Sequence, residues 1–458
     1  MDLNPEIFRE YDIRGTVDKD LTDRSVAALA RAMGTYLRQR GARAVSLASD
    51  NRLSSDGFRR ILADGLAHSG LDVTDFGVIP TPVFYFTLFE QKMDGGVMIT
   101  GSHNPPEFNG FKVASGRSTI YGEEIQRILS IASGGEFASG PGTVRTSDTR
   151  KDYVDDLRGR VEIARRLDVA VDCGNGTAAI VAKDLFDALG VNARLLYPEP
   201  DGRYPNHHPD PTVPANLGPL ISAVREGGLE AGIAYDGDAD RIGVIDETGD
   251  IIWGDRLLIV FAREILSRRP GAKIIFEVKC SQALPEAVEK AGGVPVMWKT
   301  GHSLIKEKMK EEGAALGGEM SGHIFFADRY YGYDDAIYAS LRLFEILSRA
   351  RTSMSGLLRD VPRYFTTPEI RVPCPDSLKF EIVGRLRDAL RSGHKIIDID
   401  GVRVAYPDGW GLVRASNTQP VLVLRFEAVT EGRLREIQNE VVTALVAAAR
   451  GEIDVPEE

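Results

Sequence analysis

Cysteine is scarce in this chain, and the scarcity limits its chemistry. Three cysteines occur in 458 residues, Cys173, Cys280 and Cys374, and they lie far apart in the sequence. None belongs to a closely spaced pair of the kind that binds zinc. We therefore expect three reduced, buried thiols and no metal site built from cysteine.

Long apolar runs and a secretory signal are absent as well. No stretch of about eighteen or more apolar residues is present, so the sequence offers no membrane-spanning helix. The first six residues lack the basic start, apolar stretch and small-residue cleavage site of a signal peptide. With 43% hydrophobic and 27% charged residues, the composition is that of a soluble globular protein. We expect a cytoplasmic protein that does not associate with membranes.

A surplus of basic residues is also missing. The formal net charge of −11 argues against a general binder of nucleic acid or anionic membranes, because such binding depends on a basic surface. An acidic chain can still bind a small phosphate through a local group of arginine, lysine and backbone N–H donors. We therefore expect a small anionic partner and no nucleic acid, and we leave open whether the chain is a monomer or a homodimer.

What the sequence does contain is a repeated alternation of strand and helix patterns. A strand pattern at 44–48 lies between amphipathic helix patterns at 25–39 and 54–68, and strand–helix–strand patterns recur at 167–197 and 273–298. This rhythm is typical of α/β domains whose strands are joined by crossover helices. The sequence therefore predicts three similar α/β domains.

After about residue 366 the pattern changes to short strands with two long helices, at 378–391 and 431–449. This arrangement predicts an antiparallel sheet with helices on one face, that is, a small α+β domain. Polar, Gly- and Ser-rich residues around 133–149 and a shorter stretch at 246–253 indicate boundaries further upstream. The predicted domains are 1–148, 149–248, 249–365 and 366–458.

The segment from Thr100 to Pro105 places a serine hydroxyl on a turn. Ser102 follows a turn and buried strand pattern at 94–99, which would hold the turn rigidly. A serine is a weak nucleophile unless neighbours activate it or it carries a transferable group. Lys112 follows closely enough in sequence to fold back beside it. Ser102 is thus a candidate nucleophile that needs partners from elsewhere in the chain.

Three carboxylates at alternate positions, Asp236, Asp238 and Asp240, lie between two apolar strand patterns. Clustered carboxylates repel unless a hard cation binds them, and oxygen ligands favour Mg²⁺ or Ca²⁺ over zinc. Glu247 falls at position twelve of a calcium-hand loop, but Arg241 stands where that loop requires glycine and the flanks read as strands. The sequence therefore predicts a Mg²⁺ site, with Arg241 suited to a phosphoryl oxygen.

Two further loops carry polar residues suited to a phosphosugar. Glu319, Ser321 and His323 alternate before an apolar run, and in an extended chain they point the same way. They suit vicinal sugar hydroxyls, with His323 also a possible proton carrier; a hydrogen-bonded turn is the alternative. The second loop combines one guanidinium with hydroxyl, amide and backbone donors, and it predicts a phosphate cradle or, alternatively, a capped turn. Its candidate residues are Arg414, Ser416, Asn417 and Thr418.

These motifs, in the order 100–105, 236–241, 318–323 and 414–418, resemble those of the α-D-phosphohexomutase superfamily, specifically its bacterial phosphomannomutase/phosphoglucomutase branch. The resemblance covers essentially the whole chain, because each motif falls in a different predicted domain. It implies three similar α/β domains with mixed sheets and a C-terminal α+β domain, arranged around a central cleft.

The resemblance also implies a reaction. Ser102 would be held as a phosphoserine, and Mg²⁺ would be bound by a phosphoryl oxygen on Ser102 together with Asp236, Asp238 and Asp240. The enzyme would reversibly interconvert hexose 1-phosphate and hexose 6-phosphate, of mannose or glucose, through a hexose 1,6-bisphosphate that also serves as activator. Phosphoryl transfer asks mainly for alignment and charge stabilisation, which suits this set of residues.

By the same resemblance, the remaining candidates take roles around the substrate. The 414–418 loop would grip the unreacting phosphate, Tyr11 would pack near the ligand, and Glu319 and Ser321 would bind the 3- and 4-hydroxyls. Met320 resembles the mannose/glucose branch, since phosphoglucosamine mutases usually have glutamine there, but it does not fix the sugar. Candidates for proton transfer or its electrostatic support are Arg14, Lys112, His302 and His323.

Two other functions use many of the same parts. A Mg²⁺-dependent phosphatase with a phosphoserine intermediate would release inorganic phosphate, whereas a mutase releases hexose 6-phosphate. A non-enzymatic phosphosugar sensor would bind the sugar phosphate without turnover, and the complete set of nucleophile, metal loop and phosphate loop argues against it. The sequence therefore favours a mutase.

Overall fold

The computed structural model describes residues 3–455. In the first third of the chain, the strands form one mixed sheet. The strands lie in the order β1-β5-β4-β2-β3-β7, with β6 beside β5. Strands β4, β2, β3 and β7 run parallel, whereas β5 is antiparallel to β4 and β1. Their bounds are β1 Ile13–Thr16, β2 Ala44–Ser49, β3 Asp72–Val78, β4 Gly95–Ile99, β5 Phe108–Ser115, β6 Ser118–Thr119 and β7 Val144–Thr146.

Helices accompany this sheet, and the first of them begins at a cap that the sequence provides. Helix α1 starts at a capping box in which Thr22 and Ser25 exchange side-chain and backbone hydrogen bonds, and its apolar face packs into the core of this sheet. All five residues of β4 are buried, so the loop that follows it begins from a fixed point. The helices are α1 Asp23–Gln39, α2 Ser55–His68, α3 Thr81–Glu90 and α4 Glu123–Gly134, with a 3₁₀ helix at Pro5–Ile7.

The second sheet has the order β12-β11-β10-β8-β9. Strands β10, β8 and β9 are parallel, and β10 and β11 form an antiparallel pair that closes at Tyr235 and Ile242. The acidic loop therefore joins two adjacent, fully buried strands. The elements are α5 Arg150–Arg160, β8 Asp168–Asp172, α6 Ala179–Leu189, β9 Asn192–Leu196, a 3₁₀ helix Pro214–Leu217, α7 Gly218–Gly227, β10 Ala231–Tyr235, β11 Ile242–Asp246 and β12 Ile251–Ile252.

A third set of strands follows, in which β14, β13 and β15 lie side by side and parallel. The segment between β15 and β16 is a turn in which Gly322 has φ +95°. The expectation that residues 319, 321 and 323 point the same way from an extended chain is therefore wrong, since a left-handed glycine reverses the chain there. The elements are α8 Gly254–Arg268, β13 Lys273–Glu277, α9 Ala283–Lys290, β14 Val294–Trp298, α10 His302–Glu312, β15 Leu316–Gly318, β16 Ile324–Phe326, α11 Ala336–Arg349 and α12 Met354–Leu357.

The C-terminal region forms an antiparallel sheet in the order β17-β22-β21-β20-β19, with β18 also beside β22. Two helices pack against it through a shared apolar core. The predicted fold class, α/β with a C-terminal α+β domain, is confirmed. The elements are β17 Phe365–Thr366, β18 Ile370–Pro373, α13 Asp376–Leu390, β19 Lys395–Ile397, β20 Val402–Tyr406, β21 Gly409–Ala415, β22 Val421–Ala428 and α14 Glu431–Ala449.

The chain divides into two compact units. The first contains the residues up to Leu257 together with Ser321–Arg359, and the second contains Leu258–Met320 and the residues from Asp360 onward. The three cysteines are buried, as predicted, and within the described residues none is in a disulfide bond. Within residues 3–455, no helix combines the length and the apolar character that crossing a membrane requires.

Candidate active site

The loop between β4 and β5 holds Ser102 in a constrained conformation. Ser102 has φ +48°, a left-handed value that costs a non-glycine residue about 1 kcal/mol or more. Its side chain is buried, and its hydroxyl Oγ donates a hydrogen bond to Asp236 Oδ2 at 2.7 Å. Its backbone N–H donates to Thr100 Oγ1 at 2.8 Å, and Oγ lies 3.1 Å from Nδ1 of His103. The serine is therefore directed at the acidic loop.

Arg52, which was not among the candidates from sequence, stabilises this loop through hydrogen bonds to its main chain. Its guanidinium is buried beside Asp50, at 3.2 Å, and Asp50 also accepts a hydrogen bond from Gly101 N at 3.0 Å. Arg52 donates to carbonyl oxygens on four loop residues: Ser102, Asn104, Pro105 and Phe108. The available signal was a polar triplet, Asp50 to Arg52, directly after a buried strand.

The acidic loop brings three buried carboxylates together. Asp236, Asp238 and Asp240 each offer an oxygen within 4.8 Å of the others. Burial, followed by repulsion from the other two aspartates, raises the pKa of Asp236 well above its ordinary value. Burial acts to raise the pKa of Asp240, but the nearby groups Lys112, His323 and Arg241 together outweigh burial, so that pKa is lowered. The cluster carries charge that requires a cation nearby.

Lys112 supplies a cation from β5. Its Nζ lies 3.0 Å from Asp238 Oδ2 and also contacts Asp240 Oδ2. Burial alone would lower the pKa of Lys112, but the two aspartates raise it well above its ordinary value, so this lysine remains an ammonium. Thr81 and Thr100 donate to the same Asp238 oxygen, at 2.6 and 3.0 Å. Lys112 thus lies beside the carboxylates that flank Ser102.

Two carboxylate oxygens of this cluster point to a metal ion. Among the described residues, no group donates a hydrogen bond to Asp238 Oδ1 or Asp240 Oδ1, although both atoms are buried. A buried acceptor without a donor is costly, and hard divalent cations bind carboxylate oxygens of this kind. The residues therefore fit a metal ion.

Arg241 and His323 form the next layer around the acidic loop. The backbone N–H of Arg241 donates to Asp236 Oδ1 at 3.1 Å, and its Nε donates to His323 Nε2 at 2.9 Å. The ring nitrogen Nδ1 of His323 lies 3.2 Å from Asp334 Oδ2, and Asp334 was not among the candidates from sequence. The fold brings His323 to the acidic loop although 82 residues separate it from Arg241.

Three other candidates belong to the same unit. Arg14, on β1, donates from Nη1 to Asn104 Oδ1 at 2.7 Å and forms an ion pair with Asp12 at 2.5 Å. This contact places Arg14 against the serine loop. Tyr11 is buried just before β1, and Ser321 lies in the turn before β16.

In the second unit, Glu319 contacts the residue that precedes α10. The backbone N–H of Gly301 donates to Glu319 Oε1 at 2.6 Å, which fixes the carboxylate beside His302, the first residue of the helix. Glu277, another residue missed from sequence, accepts from Thr300 Oγ1 at 2.6 Å. Its signal was a carboxylate at the end of a buried strand, the edge where α/β sheets bind ligands.

The loop at 414–419 is also held together by charged groups. Arg414 Nε donates to Asp400 Oδ2 at 2.9 Å, and the same oxygen accepts from Thr300 N at 3.0 Å, so this loop adjoins the start of α10. Ser416 Oγ accepts from the backbone N–H of Thr418 at 3.3 Å. Both a cradle and a capped turn were predicted here, and the hydroxyl of Ser416 does cap the turn.

Beneath this loop lies Lys379 of α13, which the sequence interpretation missed. Its buried Nζ donates to Ser416 O and, at 3.3 Å, to Gln419 O, and it pairs with Asp376 at 2.5 Å. In the loop above Lys379, Thr418 is exposed and Asn417 is half-buried.

Four family models match consecutive segments of the chain. Residues 5–139, 151–249 and 253–365 match the phosphoglucomutase/phosphomannomutase alpha/beta/alpha domains I, II and III, and residues 369–444 match the phosphoglucomutase/phosphomannomutase C-terminal domain. The matched segments span most of the sequence. The chain belongs to this family.

Individual relatives agree with the phosphoglucomutase/phosphomannomutase family assignment. A phosphomannomutase/phosphoglucomutase of Pseudomonas aeruginosa is 47% identical over 437 residues, which cover 95% of this chain and 94% of the relative. A phosphoglucomutase of Neisseria gonorrhoeae is 44% identical, covering 95% of this chain and 96% of the relative. The crystal structure of a phosphoglucomutase/phosphomannomutase family protein from Burkholderia thailandensis superposes with a TM-score of 0.94 at 43% identity, covering 99% and 100% of the two chains.

Membership of the phosphoglucomutase/phosphomannomutase family confirms the predicted enzyme class. The chain is a phosphohexomutase, an isomerase that interconverts hexose 1-phosphates and hexose 6-phosphates. It contains a buried acidic group able to bind a metal ion.

Proposed function

We propose that Ser102 is the phosphoryl carrier of this phosphohexomutase. The observation that carries the proposal is the 2.7 Å hydrogen bond from Ser102 Oγ to Asp236, which joins the hydroxyl to a buried acidic cluster. A phosphoserine carries about −1.5 to −2 charges at neutral pH, so cations must converge on it. Lys112 and Arg241 are the cations that adjoin the cluster.

The acidic cluster would hold Mg²⁺, with Asp236, Asp238, Asp240 and one phosphoryl oxygen on Ser102 as ligands. When bound, the ion neutralises charge on the phosphoryl oxygens. The two carboxylate oxygens without hydrogen-bond donors support this assignment. Lys112 then acts as an electrostatic support, because an ammonium whose pKa is raised is a poor base.

In the first transfer, a sugar hydroxyl oxygen attacks the phosphorus, the bond from phosphorus to Ser102 Oγ breaks, the sugar hydroxyl proton passes to a base, and Ser102 Oγ takes up a proton. Among the residues proposed for proton transfer, Arg14 lies against the serine loop and His302 is the first residue of α10 in the second unit. In the second transfer, Ser102 Oγ gives up its proton and attacks the other phosphorus of the hexose 1,6-bisphosphate, the bond from that phosphorus to the sugar oxygen breaks, and the sugar oxygen takes up a proton. Hexose 1,6-bisphosphate is also the proposed activator, since it phosphorylates an unloaded serine.

The second unit would hold the part of the substrate that does not react. Arg414, Ser416, Asn417 and Thr418 form the proposed grip for the second phosphate, and backbone donors with one guanidinium suit a phosphate dianion. Glu319, with Ser321 of the first unit, is proposed to bind the sugar hydroxyls, and Tyr11 to pack near the ligand. The contact of Asp400 with both Arg414 and Thr300 supports a joint role for these loops.

We propose that the chain has four domains, 1–148, 149–248, 249–365 and 366–458. The proposed sugar is mannose or glucose, as Met320 indicates. The protein is proposed to be a cytoplasmic monomer or homodimer. The backbone N–H of Met320 donates to Oε1 of the buried Glu277 at 3.2 Å. This hydrogen bond supports a role near the sugar for the turn that contains Met320.

The decisive experiment follows the phosphoryl group by ³¹P NMR. Purified protein with Mg²⁺ and a trace of glucose 1,6-bisphosphate is given mannose, glucose or glucosamine 1-phosphate in separate samples. We expect hexose 6-phosphate to accumulate with little inorganic phosphate, fastest for mannose or glucose. Predominant release of inorganic phosphate would instead indicate a phosphatase, and binding without turnover a sensor.

A further inference from the structure

The main chain of the serine loop is held at four successive carbonyl groups, those of residues 102–105. Arg52 donates to three of them, at positions 102, 104 and 105. The carbonyl oxygen of His103 accepts from Nε2 of His208 instead. A carbonyl oxygen carries no proton, so the ring nitrogen must be the donor. His208 therefore completes the set of side chains that hold this loop.

His208 belongs to the part of the chain that forms the second sheet. It lies between β9 and the 3₁₀ helix Pro214–Leu217, whereas Arg52 follows β2 of the first sheet. The acidic loop joins β10 and β11, which are strands of that same second sheet. The hydrogen bond from His208 thus ties the serine loop, which extends from the first sheet, to the part of the chain that carries Asp236.

Neighbouring groups fix His208 itself. Its carbonyl oxygen accepts from His207 Nδ1 at 2.9 Å and from the backbone N–H of Asp210 at 2.8 Å. His207 Nε2 lies 2.9 Å from Oδ2 of Asp172, a buried carboxylate at the end of β8. The ring of His208 also packs edge-on against Tyr204, with centroids 6.4 Å apart and planes at 90°. A ring held in this way can determine the position of the carbonyl group to which it donates.

The conformation at Ser102 depends on the main chain that His208 holds. The left-handed φ of Ser102, +48°, persists only where the surrounding contacts impose it. A Cβ atom on Gly237 would lie 2.6 Å from Ser102 O, so the acidic loop approaches the main chain of the serine loop closely. The ring nitrogen Nδ1 of His103 lies 3.1 Å from Ser102 Oγ. A shift of the His103 carbonyl would therefore move the serine hydroxyl relative to Asp236.

We propose that His208 is a positioning residue of this enzyme: its Nε2–H holds the His103 carbonyl and thereby keeps Ser102 Oγ directed at the acidic loop. The inference rests on the proposed function, because it takes Ser102 as the group that accepts and returns the phosphoryl. Phosphoryl transfer depends mainly on alignment, and a displacement of about 1 Å can lower a rate by about a hundredfold. The loss of this hydrogen bond should therefore change kcat more than KM.

Two substitutions separate the hydrogen bond from the packing of the ring. The amide nitrogen of His208→Gln replaces Nε2 as a donor, whereas His208→Leu keeps an apolar side chain and has no donor. We expect kcat to fall by about tenfold to a hundredfold in His208→Leu, with KM changed by less than about threefold. In His208→Gln, kcat should stay within about threefold of wild type. The exposed His68→Leu, on α2, is the matched control and should keep kcat within about twofold. Equal losses in the two His208 variants would overturn the proposal.

Single-turnover labelling distinguishes a misplaced serine from a partly unfolded protein. Dephosphorylated wild type and variants are mixed with saturating glucose 1,6-bisphosphate that carries ³²P, and the label bound to protein is followed with time. The amplitude measures how much enzyme is folded, whereas the rate constant measures how well the serine is aligned. We expect the rate constant of His208→Leu to fall by about tenfold or more at an unchanged amplitude, and that of His208→Gln to stay close to wild type.

The same labelling experiment separates failure of this inference from failure of the proposed function. A lower amplitude with a wild-type rate constant in His208→Leu would overturn the inference, since His208 would then only stabilise the fold. If Ser102→Ala takes up as much label as wild type, the phosphoryl carrier is another residue and the proposed function fails. If Ser102→Ala takes up no label while His208→Leu keeps the wild-type rate constant, only the role of His208 is refuted.

Discussion

The serine loop and the loop at 414–419, called the phosphate loop below, differ in how far their polar side chains are exposed. Ser102 and Asp238 are 3% and 0% exposed, and they are surrounded by charged side chains from several strands. At the phosphate loop, Thr418 and Gln419 are exposed, and the main support is one buried ammonium, Lys379. Buried charges interact strongly because little water screens them. In the proposed mechanism, transfer requires that fixed, dry geometry, whereas the phosphate grip must stay open to a group that enters and leaves.

The largest effect should follow from removing the proposed phosphoryl carrier. Ser102→Ala should lower mutase turnover by about a thousandfold or more, because it removes the hydroxyl that is proposed to accept and return the phosphoryl group. Turnover is measured by ³¹P NMR of hexose 6-phosphate, and the exposed Ser130→Ala serves as control. Wild-type turnover in Ser102→Ala would contradict the proposal that the serine loop carries out phosphoryl transfer while the phosphate loop only binds substrate.

A second prediction tests whether the serine loop depends on its buried cation. Arg52→Met should lower the free energy of unfolding by about 3 kcal/mol, since it leaves Asp50 unpaired and the loop carbonyls without donors. The midpoint in urea and turnover are measured together, with the exposed Arg145→Met as control. Unchanged stability with unchanged turnover would show that the loop holds its shape without Arg52.

The phosphate loop should respond through binding and much less through turnover. Lys379→Met removes a buried ammonium from Ser416 O and Gln419 O, and each charge-assisted hydrogen bond contributes about 1.5–3 kcal/mol. We therefore expect KM for hexose phosphate to rise by about tenfold or more, with kcat changed much less. The exposed Lys395→Met, in the same domain, should leave both constants unchanged. A fall in kcat at constant KM would contradict the proposed division of roles.

The two regions also differ in how far the sequence predicts them. The acidic loop was predicted because Asp236, Asp238 and Asp240 alternate within five residues. Arg52 and Asp334 were missed because their partners lie far away in sequence: Ser102 is 50 residues from Arg52. Only the fold brings such pairs together, so a local pattern can indicate one partner, as the polar triplet at 50–52 does, but it cannot indicate the pairing.

The same limit applies to secondary structure. The C-terminal sheet and its two helices were predicted closely, because buried strands and amphipathic helices have regular apolar patterns. Strand β7, Val144–Thr146, was missed inside a stretch interpreted as a boundary, since all three of its residues are exposed at the sheet edge. At Gly322 the structure has the turn that stood as the alternative to an extended chain, because alternation of polar residues over so short a segment does not distinguish the two.

The last prediction concerns the pH dependence of stability at Asp335, a buried carboxylate of the unit that contains the serine loop. Burial raises the pKa of Asp335 to about 6, although tyrosine and backbone donors oppose the shift. The folded protein therefore holds a proton on Asp335 over a range, from about pH 4 to about 6, in which the unfolded chain has released it. Because folding takes up this proton, its contribution to stability is present at low pH and is lost as pH rises through about 6.

An asparagine at this position removes that dependence. The difference in unfolding free energy between wild type and Asp335→Asn should therefore shift against the wild type as pH rises from about 4 to about 6, and stay constant above that range. Urea unfolding of both proteins at several pH values measures it, and taking the difference cancels the titration of other groups. A difference that is independent of pH would mean that Asp335 is ionised in the folded protein throughout, stabilised by Tyr153 and Tyr330 more strongly than burial disfavours it.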